Sequence, residues 1–156
     1  MADVSTLCKK SLQTAKLGNG VAEVQNGKDF YKYLFTNHPD LRRYFKGAEN
    51  YTADDVQKSD RFERLGTGIL LSCHLLAETF SNEMVFRAFV RDTIDRHVDR
   101  NLDPTLWLAF WSVWTAFLAT KGSVDDATKN AWQTVGKLFN EEAQSQLKKR
   151  GLPVAA

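Results

Sequence analysis

This sequence contains few cysteines and few prolines, and its net charge is small. Its 156 residues include two cysteines and three prolines, and the formal net charge is +2. Cys8 and Cys73 lie far apart and form no CxxC pair, zinc motif or disulfide framework. The small net charge offers no bulk electrostatic attraction to a polyanion, so we expect no nucleic-acid partner.

Long apolar runs are missing too. No segment approaches the roughly 20 apolar residues that a membrane-spanning helix needs, so we expect no membrane partner. The first ten residues, MADVSTLCKK, lack the apolar stretch of a secretory signal. We therefore expect a cytoplasmic protein, with an extracellular one as the alternative if a signal peptide was removed.

The alternation of polar and apolar residues that is typical of β-strands is also absent. Proline and glycine fall between segments with helical spacing, which predicts an all-α chain. With 43% hydrophobic residues, the chain should form one domain spanning residues 1–156 with a substantial core. The pattern predicts seven or eight helices of unequal length. Such helices favour a fold that wraps around something, rather than a four-helix bundle.

Capping residues, prolines and glycines suggest where the helices begin and end. The first expected helices span residues 5–17, capped by Ser5, and residues 21 or 23 to 37, followed by one short helix that begins at Pro39 and another that begins at Thr52. A long helix should follow at 60–80. The last three should run from Ser81 or Asn82 to about His97, over 106–119 after Asp103-Pro104, and from Ser123 to about Lys149. Segment 106–119, LWLAFWSVWTAFLA, is apolar on nearly every side, which predicts a central buried helix.

His97 lies on the apolar face of its predicted helix. Phe86, Val90 and Ile94 lead to it in steps of four, four and three residues. Such a histidine is either a core residue with its hydrogen bonds satisfied or an axial ligand of haem iron. A ligating histidine needs an acceptor for its second ring N–H, and Thr93, one turn earlier, offers a carbonyl and a hydroxyl.

The sequence spacing of a proline, two aromatic residues, two glycines, Leu65 and His97 carries further information about the fold. Pro39 and Tyr31 lie six and 14 residues before Phe45, and Gly27 lies four before Tyr31. Leu65 and Gly66 are adjacent, and Leu65 lies 32 residues before His97. A glycine in a helix interior costs roughly 0.5–1 kcal/mol against alanine, and close backbone approach would compensate for that cost.

In this order and spacing, these residues resemble the globin family over nearly the whole chain. The segments YFKGAENYTADDV and ILLSCHLL are most similar to nematode globins. The resemblance implies a globin fold and a haem pocket. It also implies that the second and fifth helices cross closely, at Gly27 and Gly66.

The resemblance assigns roles to six residues. His97 matches the proximal iron ligand, Phe45 the aromatic residue that packs on the porphyrin, and Tyr31 the distal tyrosine of nematode globins. Phe35 and Ile69 match pocket walls, and Leu65 matches the distal position. The implied cofactor is haem b, iron protoporphyrin IX, held non-covalently because the chain has no CxxCH motif.

Leu65 departs from the family pattern, since many globins have histidine there and some nematode globins have glutamine. Leucine neither ligates iron nor donates a hydrogen bond, so the deoxy ferrous state should be five-coordinate. Oxygen bound to ferrous haem carries partial negative charge, and the phenol of Tyr31 can donate to it. Such a bond is worth about 1.5–3 kcal/mol, or roughly one to two decades of affinity.

A reversible oxygen carrier or store, without enzymatic activity, is the first functional expectation, and O2, CO and NO are the expected ligands. The alternatives are a haem enzyme for nitric oxide dioxygenation or peroxidase-like turnover, a gas sensor, or a helical protein whose His97 is structural. A dedicated enzyme would need an electron source, and a peroxidase would need a distal acid–base group. An oligomer is possible, but the sequence predicts no oligomeric state.

Overall fold

The computed structural model describes residues 3–156, within which the secondary structure consists of helices, with no strand. The α-helices are α1 (Val4–Ser11), α2 (Val21–Asn37), α3 (Ala53–Lys58), α4 (Asp60–Thr79), α5 (Glu83–Arg96), α6 (Leu106–Lys121) and α7 (Asp126–Lys149). Short 3₁₀-helices occupy Leu12–Thr14, Pro39–Tyr44 and Val98–Arg100. The prediction of an all-α chain is confirmed. None of the helices described is both long and apolar enough to cross a membrane.

The described residues divide into two compact units. The Tyr31 unit comprises Leu12–Leu75, and the His97 unit comprises residues 3–11 together with Leu76–Ala156. In the His97 unit, α7 packs against α1, α5 and α6, and the buried hydroxyl of Ser5 donates to the carbonyl of Ala77 at 2.6 Å. In the Tyr31 unit, α2 packs against α3 and against the 3₁₀-helix Pro39–Tyr44.

The helix starts match the sequence predictions only in part. The predicted helix start at Thr52 is confirmed, and Thr52 caps α3: its hydroxyl accepts from the backbone of Asp55, whose carboxylate accepts from the backbone of Thr52. Ser123 is not a cap, because α7 begins at Asp126 and the side chain of Asp125 accepts the N–H of its first turn at 2.8 Å. Asn82 stands at the start of α5 but makes no capping hydrogen bond.

Two further expectations about the helices are wrong. The first helix ends at Ser11 rather than Leu17, and Ser5 lies inside it rather than at its start. On α6, Trp111 and Trp114 are buried, but Leu108 is 48% exposed. The apolar helix therefore buries one side and leaves the other open to solvent, so it is not wholly buried.

Candidate functional site

The imidazole of His97 is held in one orientation at the end of α5. Its Nδ1 lies 2.7 Å from the carbonyl oxygen of Thr93, one turn earlier. A carbonyl can only accept, so Nδ1 carries the proton and Nε2 of the neutral ring keeps its lone pair. Nε2 has no hydrogen-bond partner among the described residues. The hydroxyl of Thr93, the other candidate acceptor, donates instead to the carbonyl of Phe89 at 2.9 Å.

The surroundings of His97 favour the neutral ring. Burial lowers the pKa of His97 below its usual value, and the charges of Arg96 and Arg100 act in the same direction. The hydrogen bond to Thr93 opposes this shift but does not reverse it. A neutral imidazole with a fixed ring and a free Nε2 is the form that ligates a metal.

The indole of Trp107 packs edge-on against His97. The two ring centroids are 5.3 Å apart and the ring planes meet at 89°. This contact comes from α6, whereas the hydrogen bond to Thr93 comes from α5. Neighbours on two helices therefore restrict the imidazole. The apolar pattern of segment 106–119 gave no sign of the contact between Trp107 and His97.

Tyr31 lies in a cluster of aromatic rings in the Tyr31 unit. Its ring centroid is 5.2 Å from Phe30, 6.4 Å from Phe35, 5.7 Å from Phe45 and 5.3 Å from Phe62, each in edge-to-face geometry. Tyr31 and Phe35 are 8% and 3% exposed, so water barely reaches this cluster. Three of the residues singled out in the sequence, Tyr31, Phe35 and Phe45, are thus brought together.

Phe62, like Phe30, is a neighbour of Tyr31 that no pattern in the sequence singled out. It is fully buried and contacts Phe35 and Phe45 as well, with ring centroids 5.1 and 5.7 Å away. The only signal in the sequence was its place on α4, three residues before Leu65 on the apolar face. That signal indicates burial but not which rings the phenylalanine meets.

The meeting of Phe62 and Tyr31 follows from the crossing of α2 and α4. A Cβ atom on Gly27 would lie 2.7 Å from the carbonyl oxygen of Gly66, closer than real Cβ contacts occur. Only glycine at both positions allows this approach. Tyr31 lies one turn after Gly27, and Phe62 lies one turn before Gly66. The predicted close crossing at these two glycines is confirmed.

Leu65 and Ile69 lie one turn apart on α4, on the same face as Phe62. Both are half-buried. Neither side chain has a group that could donate a hydrogen bond or ligate a metal. These two residues can therefore contribute apolar surface and nothing else.

The residues present fit a haem better than a bare metal ion. Residues 3–156 contain no group of three or more histidine, cysteine, aspartate or glutamate side chains that could hold a metal ion. A single neutral histidine suits an iron whose other ligands come from a porphyrin. The buried aromatic cluster around Tyr31 suits a flat, largely apolar group.

The comparison with known proteins decides the family. The globin family model matches residues 28–143. The chain belongs to the globin family. This result confirms the resemblance seen in the sequence.

Nematode proteins are among the similar relatives of this globin. A myoglobin of Nippostrongylus brasiliensis is 65% identical over 153 residues, which cover 98% of this chain and 99% of that protein. A globin-like protein of Caenorhabditis elegans is 52% identical, over 97% of this chain and 95% of its own length. A myoglobin of Ascaris suum is 46% identical, over 96% and 99%.

Solved structures confirm the globin fold. A high-resolution structure of a C. elegans globin-like protein superposes with a TM-score of 0.97 at 50% identity, covering 99% of this chain and 100% of that chain. Ferric Aplysia limacina myoglobin superposes with a TM-score of 0.79 at 17% identity, covering 94% and 99%, and this likeness concerns the fold alone. The family and its myoglobin-named relatives support a haem-binding, O2-binding globin.

Proposed function

We propose that this globin is a reversible oxygen carrier or store, formed as one domain over residues 1–156. It holds haem b non-covalently, His97 ligates the iron, and Tyr31 donates a hydrogen bond to bound O2. The observation that carries the proposal is the state of His97, whose ring is neutral and fixed and whose Nε2 has no hydrogen-bond partner among the described residues. The relatives named myoglobin support the same role.

The hydrogen bond between Nδ1 of His97 and the carbonyl of Thr93 has two effects. It fixes the orientation of the ring, and it makes Nε2 a more basic ligand. Haem, when bound, supplies the iron that takes up the gas. The lowered pKa of His97 keeps protons from competing for Nε2 near neutral pH.

Tyr31 is the group proposed to discriminate between gases. Its ring is buried among apolar rings, where a hydrogen bond is stronger than in water. Bound O2 is polar and accepts a hydrogen bond, whereas bound CO is less polar. Leu65 offers no donor, so the distal hydrogen bond falls to Tyr31. In this proposal Phe35, Phe45, Leu65 and Ile69 exclude water, and Phe45 packs on the porphyrin.

The first experiment is an absorption spectrum of the haem-loaded protein, reduced without oxygen and then exposed to air. We expect a five-coordinate deoxy form that converts reversibly to a long-lived oxy form. Absence of a haem band after reconstitution would make His97 a core histidine. Rapid oxidation to the ferric form would instead favour redox chemistry over oxygen storage.

The role of Tyr31 is tested by Tyr31→Phe, with Tyr33→Phe as the matched control on the same helix. Loss of a hydrogen bond worth about 1.5–3 kcal/mol should speed O2 dissociation by roughly 10- to 100-fold. CO dissociation should barely change, and Tyr33→Phe should leave both gases unaffected. Equal changes for O2 and CO in Tyr31→Phe would refute the hydrogen-bond role.

The comparisons also bear on the alternatives. The myoglobin-named relatives favour oxygen binding without catalysis over nitric oxide dioxygenation, peroxidase-like turnover or gas sensing. We propose CO and NO as further ligands of the same iron. The relatives include an extracellular globin and a cuticular isoform beside the myoglobins, and these names favour neither expected compartment over the other.

A further inference from the structure

The helix end that carries His97 holds an acidic residue in an unfavourable place. Asp95 lies in the last turn of α5, which ends at Arg96, and His97 follows directly as the C-cap residue. The free carbonyl groups at a helix C-terminus carry partial negative charge, so a carboxylate there weakens the last turn. Because the ring of His97 is hydrogen-bonded to Thr93 in the same turn, any movement of this turn moves the ring.

Two side chains near the end of α7 compensate for the charge of Asp95. The amide nitrogen of Gln146 donates to Oδ1 of Asp95 at 2.8 Å. Nε of Arg150 lies 3.8 Å from the same oxygen, but the side chains of Arg150 and Asp95 are 47% and 40% exposed. A hydrogen bond to an ionised acceptor is stronger than a neutral one, whereas an ion pair between exposed side chains contributes little. Gln146 is therefore the stronger of the two polar attachments between the end of α5 and α7.

A second glutamine of α7 holds the chain on the other side of His97. The amide nitrogen of Gln144 donates to the carbonyl oxygen of Pro104 and to Oδ1 of Asn140, both at 2.9 Å. Its amide oxygen accepts from the backbone N–H of Ala155 at 2.9 Å. Partners on both ends of the amide fix its orientation. Gln144 thus ties the connection between α5 and α6 to α7.

We propose that Gln144 and Gln146, the glutamine clamp, are positioning residues that hold the segment carrying His97 against α7; this inference rests on the proposed ligation of haem iron by His97. The clamp grips the chain at Asp95, before the ligand, and at Pro104, after it. With both points held, the end of α5 does not fray or tilt, and the imidazole presents Nε2 in one position. The strength of the iron–histidine bond then depends on α7, although the ring itself bonds to its own helix.

The polar contacts nearer the start of α5 have a different effect. Glu142 of α7 contacts Arg87 at 3.2 Å and Arg91 at 3.6 Å. These arginines lie ten and six residues before His97. Fraying is local to a helix end, so contacts further back stabilise the helix without holding its last turn. Weakening Glu142 should lower the stability of the protein and leave the ligand ring in place.

Resonance Raman spectroscopy of the haem-loaded, deoxy ferrous protein tests the clamp, because the iron–histidine stretching band reports the strength and orientation of that bond. Gln146→Met removes the amide at similar side-chain size, and Gln146→Lys restores a donor to Asp95. Glu142→Gln is the control for lost stability. We expect the band to broaden and shift to lower frequency in Gln146→Met, to recover in Gln146→Lys, and to stay unchanged in Glu142→Gln. An unchanged band in Gln146→Met, a shift to higher frequency, or an equal change in Glu142→Gln would overturn the proposal.

Amide hydrogen exchange of the same haem-loaded proteins, followed by mass spectrometry, measures the clamp directly. Losing a hydrogen bond to a charged acceptor should raise local opening about 10-fold, so residues 95–98 should exchange about 10-fold faster in Gln146→Met. Gln144→Met should speed exchange at residues 105–108 instead. Gln133→Met, at an exposed position of α7, should change neither segment. Wild-type exchange rates in both clamp variants would refute the clamp.

The wild-type spectrum separates the clamp from the function on which it rests. A wild-type iron–histidine band that does not respond to Gln146→Met refutes the clamp alone and leaves His97 as the iron ligand. A wild-type protein that binds no haem, or that shows no iron–histidine band, refutes the proposed function and the positioning role together.

Discussion

Replacing Gly66 with alanine should destabilise the protein because the crossing of α2 and α4 leaves no room for a methyl group. A Cβ on Gly66 would lie 2.6 Å from the carbonyl oxygen of Gly27 and 2.7 Å from its Cα. The atoms it meets belong to the backbone of α2. No side chain can rotate away, so the two helices would have to move apart.

Gly68 provides the matched control. It lies on the same helix two residues later, is exposed, and a Cβ there would have nothing within 4 Å. Alanine is favoured over glycine in a helix interior by about 0.8–1 kcal/mol, so Gly68→Ala should stabilise the protein by roughly that amount. The same propensity gain applies to Gly66→Ala, where overpacking costs about 1–3 kcal/mol or more.

The difference between the two variants therefore isolates the cost of separating the helices. We expect the free energy of unfolding of Gly66→Ala to be about 1–3 kcal/mol lower than that of Gly68→Ala. In a domain of this size, each kcal/mol of difference corresponds to a Tm difference of about 2–4 °C. Urea unfolding followed by circular dichroism measures the free energies of unfolding. Equal stability of the two variants would show that α2 and α4 do not approach as closely as the structure places them.

The helical character of the chain and the hydrogen-bond acceptor of His97 could be predicted from sequence because both signals are local. The acceptor for His97 illustrates the local case, since a helix always places a carbonyl one turn earlier. The pairing of Gly27 with Gly66 is different. The residues alone showed only that a mid-helix glycine is costly, and the globin resemblance supplied the partner.

The predictions of helix caps were wrong where two suitable cap residues lie close together, or where a group distant in sequence takes up the hydrogen bond of the predicted cap. Ser123 and Asp125 are both good cap residues two positions apart, and the sequence pattern did not choose between them. Ser5 has the right side chain for a cap, but its hydroxyl is used by the carbonyl of Ala77, 72 residues away. The contact of Trp107 with His97 likewise depends on how α6 packs, which helical periodicity does not specify.

Two charged positions give further predictions, each with a matched neighbour. Glu142 and Glu141 both accept a hydrogen bond from Arg87 at 3.2 Å, but their side chains are 10% and 68% exposed. In urea titrations, Glu142→Gln should lower the free energy of unfolding by about 1.5–3 kcal/mol, and Glu141→Gln should lower it by at most about 1 kcal/mol. Equal losses would mean that burial does not strengthen the hydrogen bond between Arg87 and Glu142. Asp125 caps α7, and its hydrogen bonds to the first turn lower its pKa below the usual value. A carboxylate with a lowered folded-state pKa contributes stability above its unfolded pKa, about 3.9, and loses it as the pH falls through the folded value. Asp125→Ala should therefore lower Tm at neutral pH more than Asp126→Ala, which removes the same charge without a capping bond. The gap should narrow below about pH 4, because protonation then weakens the cap in the wild-type protein as well. A gap that stays constant down to pH 2 would show that the ionised carboxylate is not what stabilises the start of α7.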